Sequence, residues 1–203
     1  MVTVAVDLSL PEGSVAVGVN EELLSVVSWS IPKKHAERVF VEIDRCLEAT
    51  NLSKRDVERV IVTSGPGSFT GVRLSVTVGK AFKCCGVPVF STSTLKAMVA
   101  GFESLGFLVV PVIPGRRKRF YTLIGEELLD IGEEELLERL GRLGEPLVVY
   151  RGEIPQSIFK RFRCLKDLTP LAARLLSVPE SQLEPLRFNY VRDHDAKPSC
   201  KRV

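Results

Sequence analysis

The pattern of apolar residues changes period near residue 34, and that change confines the fold more than any other feature of the chain. Before it, Val2, Val4, Val6 and Leu8 alternate with Thr3, Ala5 and Asp7. Val15, Val17 and Val19 repeat the alternation, and residues 24–29 form a third β-rich run. Strand side chains point to alternate faces, so each run reads as a half-buried strand. Turn residues at 11–13 and at Asn20-Glu21 join them into an antiparallel meander. After the change, Ala36, Val39, Phe40, Ile43 and Leu47 fall at helical spacing, which predicts a helix over 35–49. Residues 53–56 read as a capping box, 60–63 as a buried strand and 70–85 as a helix stopped by Gly86 and Pro88. Residues 87–90 form another strand, and Ser93 or Thr94 caps a helix ending at Gly101.

The resulting order, βββαβαβα, is the ribonuclease-H-like arrangement of the actin-like ATPases. Strands added in parallel need helical crossovers, and these are present. Beyond Gly101 the pattern weakens: strands are expected at 108–113, 120–124 and 147–150, and helices at 133–143 and at 169–177, with Pro170 in the first turn. The expected organisation is therefore α/β with two lobes. Residues 1–102 carry the glycine-rich loop, and 103–203 form a smaller, degenerate second lobe whose end frays from about Asp193.

Composition supports a packed core and excludes several classes. Of 203 residues, 45% are hydrophobic and 26% charged, an ordinary globular balance. No apolar run approaches the ~20 residues that cross a bilayer. The start lacks a basic n-region, so a cytoplasmic protein without a membrane partner is expected. Five cysteines (Cys46, Cys84, Cys85, Cys164, Cys200) form no C-x-x-C pair and read as reduced fillers. With only His35 and His194, metal and acid–base chemistry have little to work with. A net charge of +3 does not by itself argue for nucleic acid. Its charges are nonetheless segregated: a basic run over 116–119, a second at Lys160, Arg161 and Arg163, and acids at Glu126, Glu127, Asp130, Glu133, Glu134, Glu135 and Glu138. Each is either solvated surface or a docking patch for RNA or an acidic partner.

The stretch from Thr63 to Leu74 carries the most chemistry. Gly65, Pro66, Gly67, Ser68, Phe69, Thr70, Gly71 and Arg73 lie between a buried strand and a helix start, where free N–H groups and the helix dipole favour an anion. Ser68 and Thr70 can cap the helix or bind an oxygen. No Lys-Ser/Thr follows the last glycine, so this is not a Walker loop. Asp7 reads either as a phosphate-site acid or as an acceptor for the loop amides. His35 reads either as a polar contact of the loop or of a partner, or as a satisfied structural histidine.

On the following helix, Leu74, Val78, Ala81 and Cys85 share one face, and Val72, Ser75, Val76, Gly79 and Phe82 form an adjoining one. Arg73, Thr77 and Lys80 make the polar strip. The apolar arc exceeds what a helix lying on one sheet needs. Val72, Ser75, Val76, Gly79 and Phe82 are therefore expected to form an association surface, unless the helix is wedged between the sheet and another helix.

The run from Gly65 to Arg73, one strand after a βββα unit, resembles the TsaB (YeaZ) family. Supporting matches are Asp7 ending the first strand, residues 34–37 (Lys-His-Ala-Glu), residues 91–95 (Ser-Thr-Ser-Thr-Leu), and Tyr190-Val191-Arg192. The resemblance implies a non-catalytic partner of a related subunit, TsaD, which acts with the ATPase TsaE to place a threonylcarbamoyl group on tRNA. It further implies a homodimer when the partner is missing, only indirect contact with tRNA, no tightly held cofactor, and ATP or ADP only at the interface with the partner.

Departures sharpen that expectation. The two metal-binding histidines of TsaD fall on Thr94 and Met98 here, so no metal is expected. The family's Asp-Thr-Ser-Thr reads Asp7-Leu8-Ser9-Leu10, and its second-lobe acids are replaced in the Pro114–Tyr121 stretch by a basic run. The alternatives are an actin-like-fold kinase, which needs a phosphate hairpin where this chain has an apolar one, and a glycoprotease-like metallopeptidase, which needs histidines. A ribonuclease-H-like nuclease needs clustered carboxylates, and Thr63-Ser64 ends the relevant strand.

Overall fold

A computed structural model describes residues 1–31, 34–102, 106 and 108–186. Tyr190, Arg192, His194 and Cys200 lie outside the described residues. The meander forms as β1 (Val2–Asp7), β2 (Gly13–Val19) and β3 (Glu22–Trp29). The turn between β2 and β3 places Asn20 and Glu21 at φ 51° and 70°, the left-handed pair that matches strand twist in a two-residue hairpin. Helix α1 (His35–Glu48) follows, then a single 3-10 turn at Lys54–Asp56 whose capping box forms. Next come β4 (Arg59–Thr63), α2 (Phe69–Cys84), β5 (Val89–Thr92) and α3 (Thr94–Val99). β4 and β5 add in parallel to β1, so the first sheet runs β5-β4-β1-β2-β3.

The second half repeats this design. β6 (Val109–Pro114), β7 (Arg119–Ile124) and β8 (Glu127–Gly132) form another meander, and α4 (Glu133–Arg142) leads to β9 (Leu147–Tyr150). Helix α5 (Gln156–Arg161) leads to β10 (Arg163–Lys166), giving a sheet ordered β10-β9-β6-β7-β8 with the same parallel and antiparallel pairings. Two ribonuclease-H-like sheets therefore face each other.

The helix closing each half covers the other half's sheet. α3 packs on β6 and β7, whereas α6 (Leu171–Leu175) packs on β1 and β2, and β11 (Glu184–Pro185) pairs with the edge of the first sheet at β5. Residues 171–185 follow the second sheet in sequence but lie against the first. Three apolar layers result. Val4, Val6, Val15 and Val17 meet Val39, Ile43 and Leu47 of α1 and Val78 and Phe82 of α2. Ala5, Ala16 and Ile61 meet Leu95, Met98, Leu171 and Leu175 between the sheets. Val110, Val112 and Val148 meet Leu136, Leu140 and Ile158 on the far side.

Several elements differ from expectation. Strand β8 and β10 and helix α5 were not foreseen. Ala36 and Phe40, expected on the inner face of α1, are exposed, and Glu42 turns inward, held by Arg38 and Arg45. Val72, Ser75, Val76 and Phe82 are all buried within the chain, and a Cβ on Gly79 would meet Val89 and Leu186. The expected association face of α2 is thus interior packing, because the helix is wedged among β4, β5 and α1. Its exposed stripe is Thr70, Arg73, Thr77, Lys80 and Cys84.

Candidate functional site

The parallel register sets Val6 beside Val62, so Asp7 and Thr63 emerge together at the carboxyl ends of β1 and β4. Open α/β sheets place their sites at such strand ends. Asp7 is buried, and its Oδ1 accepts from Thr63 Oγ1 at 2.6 Å, Ser9 Oγ at 2.6 Å and Ser9 N at 3.0 Å. Burial raises the Asp7 carboxyl above its ordinary value; the hydrogen bonds from Ser9 and Thr63 and the more distant Arg151 charge only oppose that rise.

The glycine loop closes onto the same hairpin. Ser68 N donates to Ser9 O at 2.7 Å, Leu8 N donates to Ser75 Oγ at 3.0 Å, and Thr94 Oγ1 donates to Ser9 Oγ at 3.0 Å. Gly65, at φ 100°, presents its carbonyl to Thr94 N at 2.8 Å. A Cβ on Gly67 would lie 2.2 Å from Ser9 O, and one on Gly71 would lie 1.8 Å from Leu8 O. These two glycines therefore permit backbone-to-backbone contact between the loop and the hairpin. Ser68 caps α2, its Oγ accepting from Gly71 N at 3.3 Å. Pro66 is buried behind the loop, while Thr70 is exposed and Arg73 lies outside over the Phe69 ring at 4.6 Å.

His35 is elsewhere. Its Nδ1 accepts the Trp29 indole proton at 2.9 Å, which leaves Nε2 to face Leu10 O at 3.4 Å. Gly13 is confined by this pair, since a Cβ there would lie 2.5 Å from the Trp29 ring. The histidine is a satisfied structural group that ties α1 to the first hairpin.

A second polar cluster joins the lobes. Arg151, at the end of β9, donates to Asp167 Oδ2 at 2.8 and 3.1 Å, to Thr169 O, and to Glu12 of the first hairpin at 3.4 Å. Arg174 of α6 reaches the other Asp167 oxygen at 3.2 Å and Ala100 O at 3.0 Å. Burial works to raise the Asp167 carboxyl, but Arg151 and Arg174 outweigh it and hold the group below its usual range. Sequence reasoning missed Ser9, Thr63, Glu12, Arg151 and Asp167 as site members. The available signal was that Thr63 and Asp7 end two strands destined to be neighbours.

The hydroxyls and carboxylate of the junction are used on one another, and the Ser68 amide is spent on Ser9. Among the described residues, no cluster of three or more His, Cys, Asp or Glu could hold a metal. Thr94 and Met98, at the positions of the ligand pair, are both buried, Thr94 bonded to Ser9 and Met98 in the inter-sheet core. No helix among the described residues is long and apolar enough to cross a membrane.

A family model described as TsaD, tRNA N6-adenosine threonylcarbamoyltransferase, matches residues 26–147. The chain is similar to the Bacillus subtilis tRNA threonylcarbamoyladenosine biosynthesis protein TsaB, 26% identical over 123 residues, which cover 60% of this chain and 54% of that protein. Escherichia coli TsaB is 28% identical over 97 residues, 42% of each chain. The chain thus spans about half the length of these curated relatives. Among solved structures, YeaZ from Pseudomonas aeruginosa superposes with a TM-score of 0.70 at 21% identity, covering 87% of this chain and 89% of that one, which supports the two-lobed fold. With the glycine loop, the paired sheets and these matches together, the chain belongs to the TsaD-like family, in its TsaB (YeaZ) group.

Proposed function

We propose that the chain is a partner subunit of the machinery that makes threonylcarbamoyladenosine in tRNA, supporting a TsaD-like catalytic subunit while supplying no reacting group. The observation that carries this is the closed junction: Ser9 O occupies Ser68 N, and Leu8 O sits against Gly71, where an ATPase or kinase of this fold needs an open phosphate loop. A protein that keeps the scaffold but fills its phosphate site is suited to binding rather than turnover. ATP or ADP then belongs to the assembled complex with the TsaD-like subunit and a TsaE-like ATPase, not to this chain alone. The surface open to a partner, or to a second copy when the partner is missing, is the outer side of α1 and α2, where Phe40 and Val41 of α1 are 42% and 48% exposed and α2 presents Arg73, Thr77 and Lys80.

The test is to mix the purified chain with the TsaD-like protein of the same cell and follow complex formation by size-exclusion chromatography with light scattering. A stable heteromeric peak is expected, and removing this chain from a reconstituted reaction should abolish the tRNA mark. Full modification by the catalytic subunit without this chain would refute the reading.

A further inference from the structure

Among the described residues, many cations pair with acids of the same chain. Arg119 pairs with Asp130, Arg139 with Glu127 and Glu135, Arg142 with Glu138, Arg151 and Arg174 with Asp167, and Arg59 with Glu180. The acidic stretch around β8 and α4 is therefore largely spoken for. Lys160 and Arg161 are exposed, like the cations of the 116–118 run, and no ion pair holds either of them among the described residues.

They lie at the end of α5, where the chain turns into β10, the edge strand of the second sheet. Phe159, Lys160, Arg161, Phe162 and Arg163, with Glu145 from the segment before β9, line a concavity of about 440 Å³. Phe159 is 45% exposed, its ring held edge-on against Tyr150 at 5.3 Å between centroids. Arg161 stands 6.0 Å over the Phe162 ring. Among the described residues, Glu145 is the single acid of the lining, against Lys160 and Arg161, so positive charge predominates.

Cations beside an accessible aromatic ring suit a flexible polyanion carrying its own rings. Phosphates pair with the cations, and an unstacked base packs on a phenyl ring. A helical duplex would keep its bases stacked and use only the cations. We propose that this groove binds a single-stranded segment of RNA, with Lys160 and Arg161 on phosphates and Phe159 stacking a base. The inference rests on the proposed function, which supplies tRNA as the RNA, and it makes this chain a direct tRNA contact through the end of the second sheet remote from the glycine loop.

The experiment measures binding of unmodified tRNA transcript to the full chain by fluorescence anisotropy over a series of potassium chloride concentrations. Three variants accompany it: Lys160→Glu with Arg161→Glu, Phe159→Ala, and Arg116→Glu with Arg117→Glu as a basic control at the β6–β7 turn. The α5 charge reversal should weaken binding and lower the slope of log affinity against log salt by about two, one for each lost phosphate contact. Phe159→Ala should weaken binding about tenfold and leave the slope unchanged. Circular dichroism and association with the TsaD-like subunit should be preserved in both, which separates failure of this site from failure of the partner reading. Undetectable tRNA binding by the unmodified chain overturns the proposal, as does loss of binding only in the Arg116/Arg117 control. Loss of the TsaD-like subunit without loss of tRNA also overturns it, by making the groove a protein interface.

Discussion

Replacing Gly71 with alanine tests the closed junction most directly. The added Cβ would lie 1.8 Å from Leu8 O, and real Cβ atoms essentially never come within 3.0 Å, so the first turn of α2 has to move off the β1–β2 hairpin. The obstacle is backbone and cannot swing aside. That movement stretches the Ser68 N–Ser9 O and Leu8 N–Ser75 Oγ bonds, now 2.7 and 3.0 Å. Overpacking costs about 1–3 kcal/mol, and each weakened bond about 1 kcal/mol. Better helix propensity returns about 1 kcal/mol. The net loss of about 2–4 kcal/mol is a large share of the 5–15 kcal/mol typical of a folded domain. In a chain of this size it lowers the thermal midpoint by about 5–15 °C. Gly141→Ala is the control: Gly141 lies inside α4 with nothing within 4 Å of a built Cβ, so that variant should gain stability. Differential scanning calorimetry and urea titration of the two variants measure the contrast. If Gly71→Ala is as stable as Gly141→Ala, the loop does not sit on the hairpin and a phosphate site is open after all.

Two further outcomes follow from burial. Val76→Arg should lose its folded circular dichroism signal or its cooperative melt, because Val76 is 1% exposed on the inner face of α2, whereas Thr77→Arg on the exposed stripe should leave stability unchanged; a folded Val76→Arg monomer that loses its partner would restore the association-face reading. Asp7, whose folded value is raised, contributes stability that is full below its unfolded value of 3.8 and is lost as pH rises through the folded value. Asp7→Asn, which keeps the acceptor but not the charge, should therefore gain on the unmodified chain as pH rises from about 4 towards neutrality, measured by urea midpoints; parallel pH profiles would refute the buried-carboxyl account.

The first lobe was legible because its signals are local. Alternation in β1 and β2, helical spacing in α1 and the glycine loop each sit within a few adjacent residues. The second lobe hid elements whose stabilisation is remote in sequence. Strand β8 reads as part of an acidic run, and only the register that sets Asp130 beside Tyr121, with Arg119 reaching Asp130 Oδ1 at 2.8 Å, shows how a strand tolerates that acid. Helix α5 is too short to display a period, and β10 is an edge strand with mostly exposed side chains. At the site, Asp7 and the glycine loop were both visible, but their direct contact was not. It depends on the parallel pairing of β1 with β4 and on absent Cβ atoms. The inner face of α2 misled for a related reason. Its width is the same whether the cover is another protein or β5 and Leu186 of the same chain.

The exchange of closing helices makes each half the lid of the other. Separating the halves near residue 102 would take α6 from the first sheet and α3 from the second, exposing Ala5, Ala16 and Ile61 on one and Ile113 and Val149 on the other. The inter-sheet layer is thus an interface between two repeats, in which each half supplies the side chains that cover the other.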